Sequence, residues 1–180
     1  MKTFLKILLV LFVLLLLFRA PLFRLTVKYK ETNQLPLIQL KDVELINFSD
    51  SDAFERNLSI EETIKQTLKL TRSHLEFSKL ASNILPEVIK SGNANCIGYA
   101  ALFNSIGNYL IEKNDQETAI KIIHLRGSVY FLGKDLHHFF DDSFFKDHDY
   151  NAVINLKNGD TILVDPSLSD YLFIDRVKSR

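Results

Sequence analysis

Apolar and polar positions follow a helical period in the middle of this chain. In "LSIEETIKQTLKLTRSHLEFSKL" the apolar residues return every three or four positions, which predicts an amphipathic helix with one buried stripe. Ser59 and Glu62 form a capping-box pattern at its start. A second, short helix is predicted in "ASNILPEVIKSG", where Pro86 suits a first turn.

A third helix is predicted to begin at Cys96, directly after the turn-forming stretch "SGNAN". Apolar residues again recur at helical spacing, and the helix is expected to end near "EKND". The pattern places these residues on its adjoining faces: Cys96, Tyr99, Ala100, Phe103, Ile106, Tyr109 and Leu110.

After this helix the pattern becomes typical of strands. "TAIKIIHLRGSVYFLG" is rich in β-branched and aromatic residues, "DYNAVINL" alternates, "KNGD" is a hairpin turn and "TILVD" is a short strand. Helices followed by strands predict an α+β domain whose helices pack on an antiparallel sheet. The long loop "KDLHHFFDDSFFKD" between the first two strands is typical of a lid, a binding edge or disorder.

The first 24 residues follow a third pattern. Lys2 and Lys6 precede an unbroken apolar run from Ile7 to Phe18, which is typical of an export signal or a membrane anchor. A signal-peptide cleavage site needs small residues at two positions, and Ala20 meets one requirement while Phe18 fails the other. We therefore favour an uncleaved signal anchor, with a cleaved signal peptide as the alternative.

These patterns divide the chain into three parts. Residues 1–24 are the predicted membrane segment, 25–58 a juxtamembrane connector with a possible strand around Val43 to Phe48, and 59–176 the folded domain. Basic residues flank the apolar run on both sides, so the positive-inside rule does not fix its orientation. The basic start followed by an apolar core favours export, which would place the domain outside the cytoplasm.

Composition narrows the possible functions. The 22 basic and 22 acidic side chains cancel, so no net field attracts nucleic acid. A single cysteine excludes an internal disulfide and a CxxC metal site. The loop carries His137 and His138 together with Asp141, Asp142 and Asp147, but adjacent histidines in a loop lack the usual ligand spacing, so we predict no metal and no cofactor.

Three residues could together support nucleophilic catalysis. A thiol attacks as thiolate, and a helix N-terminus such as that predicted at Cys96 stabilises negative charge. His148 opens one strand and Asp165 closes the next, so the hairpin brings them to the same edge of the sheet. An imidazole oriented by a carboxylate is the base that such a thiol requires. The alternative is that Cys96 is a small, inert core residue.

These residues resemble the transglutaminase-like superfamily of thiol enzymes, in its membrane-anchored bacterial form. The family is typified by a C-x-G-Y-A helix start, a strand opening with H-x-aromatic and a hairpin return ending in V-D-P. Here the three motifs read Cys96-Ile97-Gly98-Tyr99-Ala100, His148-Asp149-Tyr150 and Val164-Asp165-Pro166. The resemblance covers Ser59 to Phe173 and implies a papain-like core in which the nucleophile helix packs on an antiparallel sheet.

The resemblance also implies a role for each residue. Cys96 would be the nucleophile, His148 the general base and acid, and Asp165 the residue that orients His148. The oxyanion would be held by the Cys96 backbone N–H and one further donor. The chain has no tryptophan, so the family's indole donor is missing, and Asn93 or Asn95 is the candidate substitute. Tyr150 stands where the family commonly has tryptophan, as a ring that walls the site.

The function that follows is acyl transfer from an amide bond of a peptide or protein, through a thioester on Cys96. We expect hydrolysis rather than transamidation, since no dedicated amine site is identifiable in the sequence. One rival interpretation is a catalytically inactive transglutaminase-like scaffold at the membrane. A second is a cell-wall amidase of another papain-related family, which the Asp165-Pro166 pair disfavours. The phenylalanines of the long loop are either satellite core or a lid that faces substrate or membrane.

Overall fold

The computed structural model describes residues 2–37 and 58–180. In these two stretches the chain forms seven α-helices, one short 3₁₀ helix at Leu136–His138 and eight strands. The helices are α1 Lys2–Leu17, α2 Arg19–Thr26, α3 Ile60–His74, α4 Leu85–Ser91, α5 Cys96–Lys113, α6 Ser143–Lys146 and α7 Pro166–Leu172. The strands are β1 Val27–Leu35, β2 Glu76–Phe77, β3 Asn93–Ala94, β4 Ile120–Phe131, β5 Lys134–Asp135, β6 His148–Asn155, β7 Thr161–Val164 and β8 Arg176–Val177.

An antiparallel sheet organises the domain. Its strands follow the order β1-β4-β6-β7-β8, with the short β5 folded back onto β4. β2 and β3 form a separate parallel pair. The predicted α+β class with an antiparallel sheet is therefore confirmed.

Helices α3 and α5 pack on one face of this sheet. Ile64 and Leu68 of α3 meet Phe103 of α5 in a cluster that includes Ile122 and Val153 of the sheet. The predicted capping box is present, since the Ser59 side chain accepts from the Glu62 N–H and the Glu62 carboxylate accepts from the Ser59 N–H. This packing fixes the N-terminus of α5 relative to the ends of β6 and β7.

The opposite face of the sheet carries a second apolar cluster, formed by Tyr29, Leu125, Tyr150, Leu168 and Val177 with their neighbours. Strand β1 closes this side, pairing along β4 from Val27 opposite Phe131 to Leu35 opposite His124. The connector predicted over residues 25–58 is therefore wrong for residues 27–35, which form an edge strand of the sheet. The strand predicted around Val43 to Phe48 lies outside the described residues.

The N-terminal segment forms two helices. No single helix within residues 2–37 and 58–180 is long and apolar enough to cross a membrane, although Phe4–Leu17 and Arg19–Thr26, bent by 70° at the break between them, qualify as a pair by length and composition. Helix α2 contacts the domain, because Ala20 and Phe23 pack against the second apolar cluster. The Arg19 Nε donates to the Leu172 carbonyl at 2.8 Å. The membrane anchor remains a prediction.

Gly127 sits where β1, β4 and β6 meet, and it allows a substitution test of this arrangement. A Cβ at this position would lie 2.4 Å from the backbone oxygen of Lys30, which cannot move without opening the β1–β4 pair. We expect Gly127→Ala to lower the free energy of unfolding by about 1–3 kcal/mol, measured by urea denaturation.

Gly107→Ala is the matched control. Its Cβ would meet side-chain atoms rather than backbone, the terminal Cδ1 of Ile122 and, at 3.3 and 3.4 Å, Cγ2 and Oγ1 of Thr67, and alanine favours the helix in which it lies. Equal losses of stability in the two variants would contradict the close approach of β1 to Gly127.

Candidate active site

Cys96 is the first residue of α5 and is partly exposed. The helix begins here because the Asn95 side chain caps it: its Oδ1 accepts the backbone N–H groups of Ile97 at 3.1 Å and Gly98 at 3.2 Å. Gly98 lets the helix approach β3, since a Cβ there would lie 2.9 Å from the Ala94 Cβ. In the part of the chain that the structure describes, no hydrogen bond uses the Cys96 N–H, so the thiol lies beside a free donor at the positive end of the helix dipole.

His148 is the first residue of β6 and is fully buried. Two aromatic rings hold the imidazole: Tyr29 at a centroid distance of 5.2 Å, edge-on, and Phe144 at 4.3 Å. Its Nε2 lies 2.6 Å from Oδ2 of Asp165. That contact fixes the ring orientation and leaves Nδ1 as the only ring nitrogen that can face another group.

Asp165 follows β7 directly and caps the N-terminus of α7. Its carboxylate is fully buried and accepts three hydrogen bonds besides that of His148. The Tyr29 hydroxyl donates to Oδ2 at 2.7 Å, and the Ser167 hydroxyl and the Leu168 N–H donate to Oδ1 at 2.7 and 3.1 Å. Burial raises the pKa of Asp165, but the His148 charge and these hydrogen bonds outweigh it, so the pKa is lowered and the carboxylate stays ionised.

The electrostatics of His148 follow from those of Asp165. Burial lowers the pKa of His148, but the adjacent Asp165 charge, its hydrogen bond and the contact with the Cys96 thiol raise it to about 10. Because Asp165 occupies Nε2, the thiol contact falls to Nδ1. Nδ1 is buried, and no described protein atom makes a hydrogen bond of ordinary geometry with it. The imidazole is thus held as a cation beside the thiol.

The structure therefore brings Cys96, His148 and Asp165 together in the order expected from the sequence. Asp165 contacts His148 directly, and His148 is coupled to the Cys96 thiol. Their roles in a reaction remain predictions.

The two asparagines predicted as oxyanion donors use their amides elsewhere. The Asn95 Nδ2 donates to the Ala81 carbonyl at 3.2 Å and to Asn83 Oδ1 at 2.8 Å, because its other end caps α5. Asn93 is exposed, and its Nδ2 turns back to the Ser91 carbonyl at 3.0 Å. Both N–H groups of the Asn95 amide are therefore used, and Asn93 is not among the residues that line the cleft of Cys96.

Tyr150 does not wall the site either. It is 1% exposed and belongs to the apolar cluster on the face of the sheet opposite α5. Its ring packs edge-on against Tyr29 at 5.0 Å. Tyr150 therefore supports the tyrosine that binds Asp165, rather than contacting a ligand at Cys96.

Cys96 opens into a cleft of about 700 Å³. The long loop supplies one wall of this cleft, through Phe144 and Phe145 of α6. Asp142 of the same loop pairs with Lys79 on the opposite lip. The cleft lining comprises Phe77, Lys79, Leu80, Ala81, Asn83, Asn95, Cys96, Ile97, Arg126, Asp142, Phe144, Phe145 and Asp147. Part of the loop thus lines the cleft, whereas Phe139 and Phe140 are exposed.

Sequence reasoning missed the groups that complete the site. Tyr29 lies in the segment that was predicted to be a connector, and only the short alternation of "VKYK" indicates a strand there. It also missed a buried ion cluster in which His124 and Arg126 of β4 bind Asp149 of β6. Arg126 and Asp149 are direct partners in the β4–β6 ladder, and a register of this kind is not readable from the sequence.

No set of three or more His, Cys, Asp or Glu side chains within the described ranges is arranged to hold a metal ion. We also compared the chain with known proteins, and no family model, curated protein or solved structure matches it.

Tyr29→Phe tests the environment of Asp165. The variant removes one donor from a buried carboxylate, so we expect the free energy of unfolding to fall by about 1–3 kcal/mol in urea denaturation at neutral pH. Tyr150→Phe is the matched control, since among the described residues its hydroxyl makes no hydrogen bond and its ring packs in the same cluster. Equal effects of the two substitutions would show that the Tyr29 hydroxyl does not stabilise Asp165.

Proposed function

We propose that this chain is a thiol-dependent acyl-transfer enzyme of the transglutaminase-like type, which cleaves amide bonds of peptides or proteins through a thioester on Cys96. The observation that carries the proposal is the arrangement of His148. Its Nε2 is fixed on the buried Asp165 carboxylate, which leaves Nδ1, buried and without another partner among the described residues, as the nitrogen available to the Cys96 thiol at the start of α5. An imidazole oriented in this way serves as both base and acid.

The proposed reaction uses these groups in sequence, with His148 acting first as acid and then as base. In the proposed resting state the Cys96 proton is already on Nδ1 of His148, which gives a thiolate and an imidazolium beside Asp165. The thiolate sulfur bonds to the amide carbon through its own electron pair, and the π electron pair of the C=O bond moves to the carbonyl oxygen. The C–N bond then breaks as the imidazolium protonates the leaving amine, and a thioester remains. Neutral His148 then takes a proton from water, the resulting hydroxide oxygen bonds to the thioester carbon, and the C–S bond breaks to release the carboxylic acid and restore the Cys96 thiolate beside the imidazolium.

The oxyanion of this reaction has one donor within reach, the backbone N–H of Cys96 at the end of the helix dipole. Both N–H groups of the Asn95 amide are used elsewhere, Asn93 is not among the residues that line the cleft, and the chain has no tryptophan. The lack of an identified second donor for the oxyanion favours a second candidate function, an inactive transglutaminase-like module that binds a partner. The two functions differ in whether Cys96→Ser abolishes the biological role of the chain: an enzyme loses it, and a scaffold keeps it.

The location we propose is the outer side of a membrane, with the domain anchored by the N-terminal segment. The apolar side chains of α1 are exposed, as the anchor interpretation requires. Because α2 packs on the domain, the anchor would hold the cleft close to the membrane surface. Water is abundant there, and we keep hydrolysis ahead of transamidation.

Alkylation of Cys96 by iodoacetamide tests the proposed nucleophile. We would use the full chain in a neutral detergent, because α2 packs on the domain, and follow labelling by intact mass from pH 5 to 10. An ordinary thiol, with a pKa of about 8.5, is under ~1% ionised at pH 6 and reacts slowly there. If Cys96 is paired with His148, we expect fast labelling at pH 6. The labelling rate at that pH should fall by about 10-fold or more in His148→Ala.

His138→Ala is the control, since that histidine is exposed in the long loop and should leave the rate unchanged. The chain contains one cysteine, so every added mass reports on Cys96. Slow labelling at pH 6, at the same rate in the wild type and in His148→Ala, would contradict the enzyme proposal and leave the scaffold as the remaining candidate.

A further inference from the structure

A guanidinium is fixed in the same cleft as Cys96 by a buried carboxylate. Asp149 is fully buried, and Arg126 donates to it from Nε at 2.7 Å and from Nη2 at 3.3 Å. His124, itself 4% exposed, lies with Nε2 3.0 Å from the same carboxylate and holds its orientation. The Arg126 side chain is 30% exposed and lines the cleft.

The hydrogen-bonding inventory of Arg126 leaves one edge of the guanidinium unused. The group has five N–H donors in a rigid fork. Asp149 takes Nε–H and one Nη2–H, so the edge formed by Nη1 and the second Nη2–H has no acceptor among the described residues. Two parallel N–H groups on one edge match the two oxygens of a carboxylate.

The charges around this edge favour an anion close to the scissile bond. Hydrogen bonds to Asp149 raise the pKa of Arg126, with smaller contributions from the charges of Asp147 and Cys96, so the guanidinium lies within electrostatic range of the thiol. Asp147 is exposed and makes no hydrogen bond in the described structure, so it is the one nearby carboxylate that would repel an incoming anion. Lys79, the other cation of the cleft, is already paired with Asp142.

We propose that Arg126, held by Asp149 and His124, is a carboxylate-binding subsite that selects substrates carrying an acidic group next to the amide attacked by Cys96. The inference rests on the proposed function for its link to the reaction. The subsite itself requires only that an anionic peptide binds in the cleft. Two sources supply such a group, an acidic side chain or a free peptide C-terminus.

Peptide binding to the full chain carrying Cys96→Ala tests the subsite without turnover. Five fluorescein-labelled alanine pentapeptide amides, each with glutamate at a different position, are compared with their glutamine counterparts by fluorescence anisotropy. A sixth pair, all alanine, compares a free C-terminus with an amide. At least one acidic member is expected to bind about 10-fold or more tightly than its neutral partner. The pair that shows this difference identifies the source of the carboxylate.

Two further substitutions in the Cys96→Ala chain should change the affinity for the acidic peptide in opposite directions. Arg126→Lys keeps a cation beside Asp149 but loses the two-pronged edge, so the preference for the acidic peptide should disappear. Asp147→Asn removes the competing charge, so the acidic peptide should bind more tightly. Circular dichroism checks that each variant is folded, and Arg126→Gln replaces Arg126→Lys if the latter unfolds.

Three results would overturn the subsite: equal binding of acidic and neutral peptides, a preference that survives in the folded Arg126 variant, or no peptide binding at all. His148-dependent alkylation in a chain with a wild-type Cys96 reports on the proposed function separately. If the His148-dependent alkylation of Cys96 is retained but acidic peptides are not preferred, the carboxylate subsite is rejected and the proposed function stands. A retained preference without fast alkylation leaves an anion-binding scaffold.

Discussion

The buried carboxylate of Asp165 is the group on which the rest of the site depends. A carboxylate without solvent is stable only if hydrogen bonds and an opposite charge replace the lost water. Tyr29, Ser167 and the Leu168 N–H supply the hydrogen bonds, and His148 supplies the charge. Because the buried Asp165 carboxylate needs an opposite charge, the His148 imidazole is held in one orientation and as a cation.

This requirement couples distant parts of the chain. Tyr29 lies on β1, at one edge of the sheet, while Asp165 stands between β7 and α7 and His148 opens β6. The three elements meet only once the sheet has formed with β1 beside β4 and β7 beside β6. The helix that carries Cys96 is fixed separately, by packing of α5 on α3 and the sheet. The site is thus complete only in a fold in which both faces of the sheet are covered.

Sequence patterns were sufficient for some of this arrangement. The Ser59 capping box, the helix start at Cys96 and the hairpin after His148 are local features, so their residues predict them directly. The role of Tyr29 and the Arg126–Asp149 pair depend on strand pairing over long separations, which no local pattern encodes. The partners of Asn95 are not encoded locally either: the sequence shows that an amide stands beside Cys96, but not that its Oδ1 caps α5 while its Nδ2 donates to Ala81 and Asn83.

The charge state of the His148 ring tests the central claim most directly. Nitrogen-15 NMR of the imidazole, from pH 5 to 10 in the full chain, reports protonation at Nδ1 and Nε2 separately. The account predicts that both nitrogens stay protonated at neutral pH and lose a proton only near pH 10, earlier in Cys96→Ala because the thiol contributes to the raised pKa of His148. A ring that titrates near the ~6.5 of a free histidine, unaffected by Cys96, would contradict it.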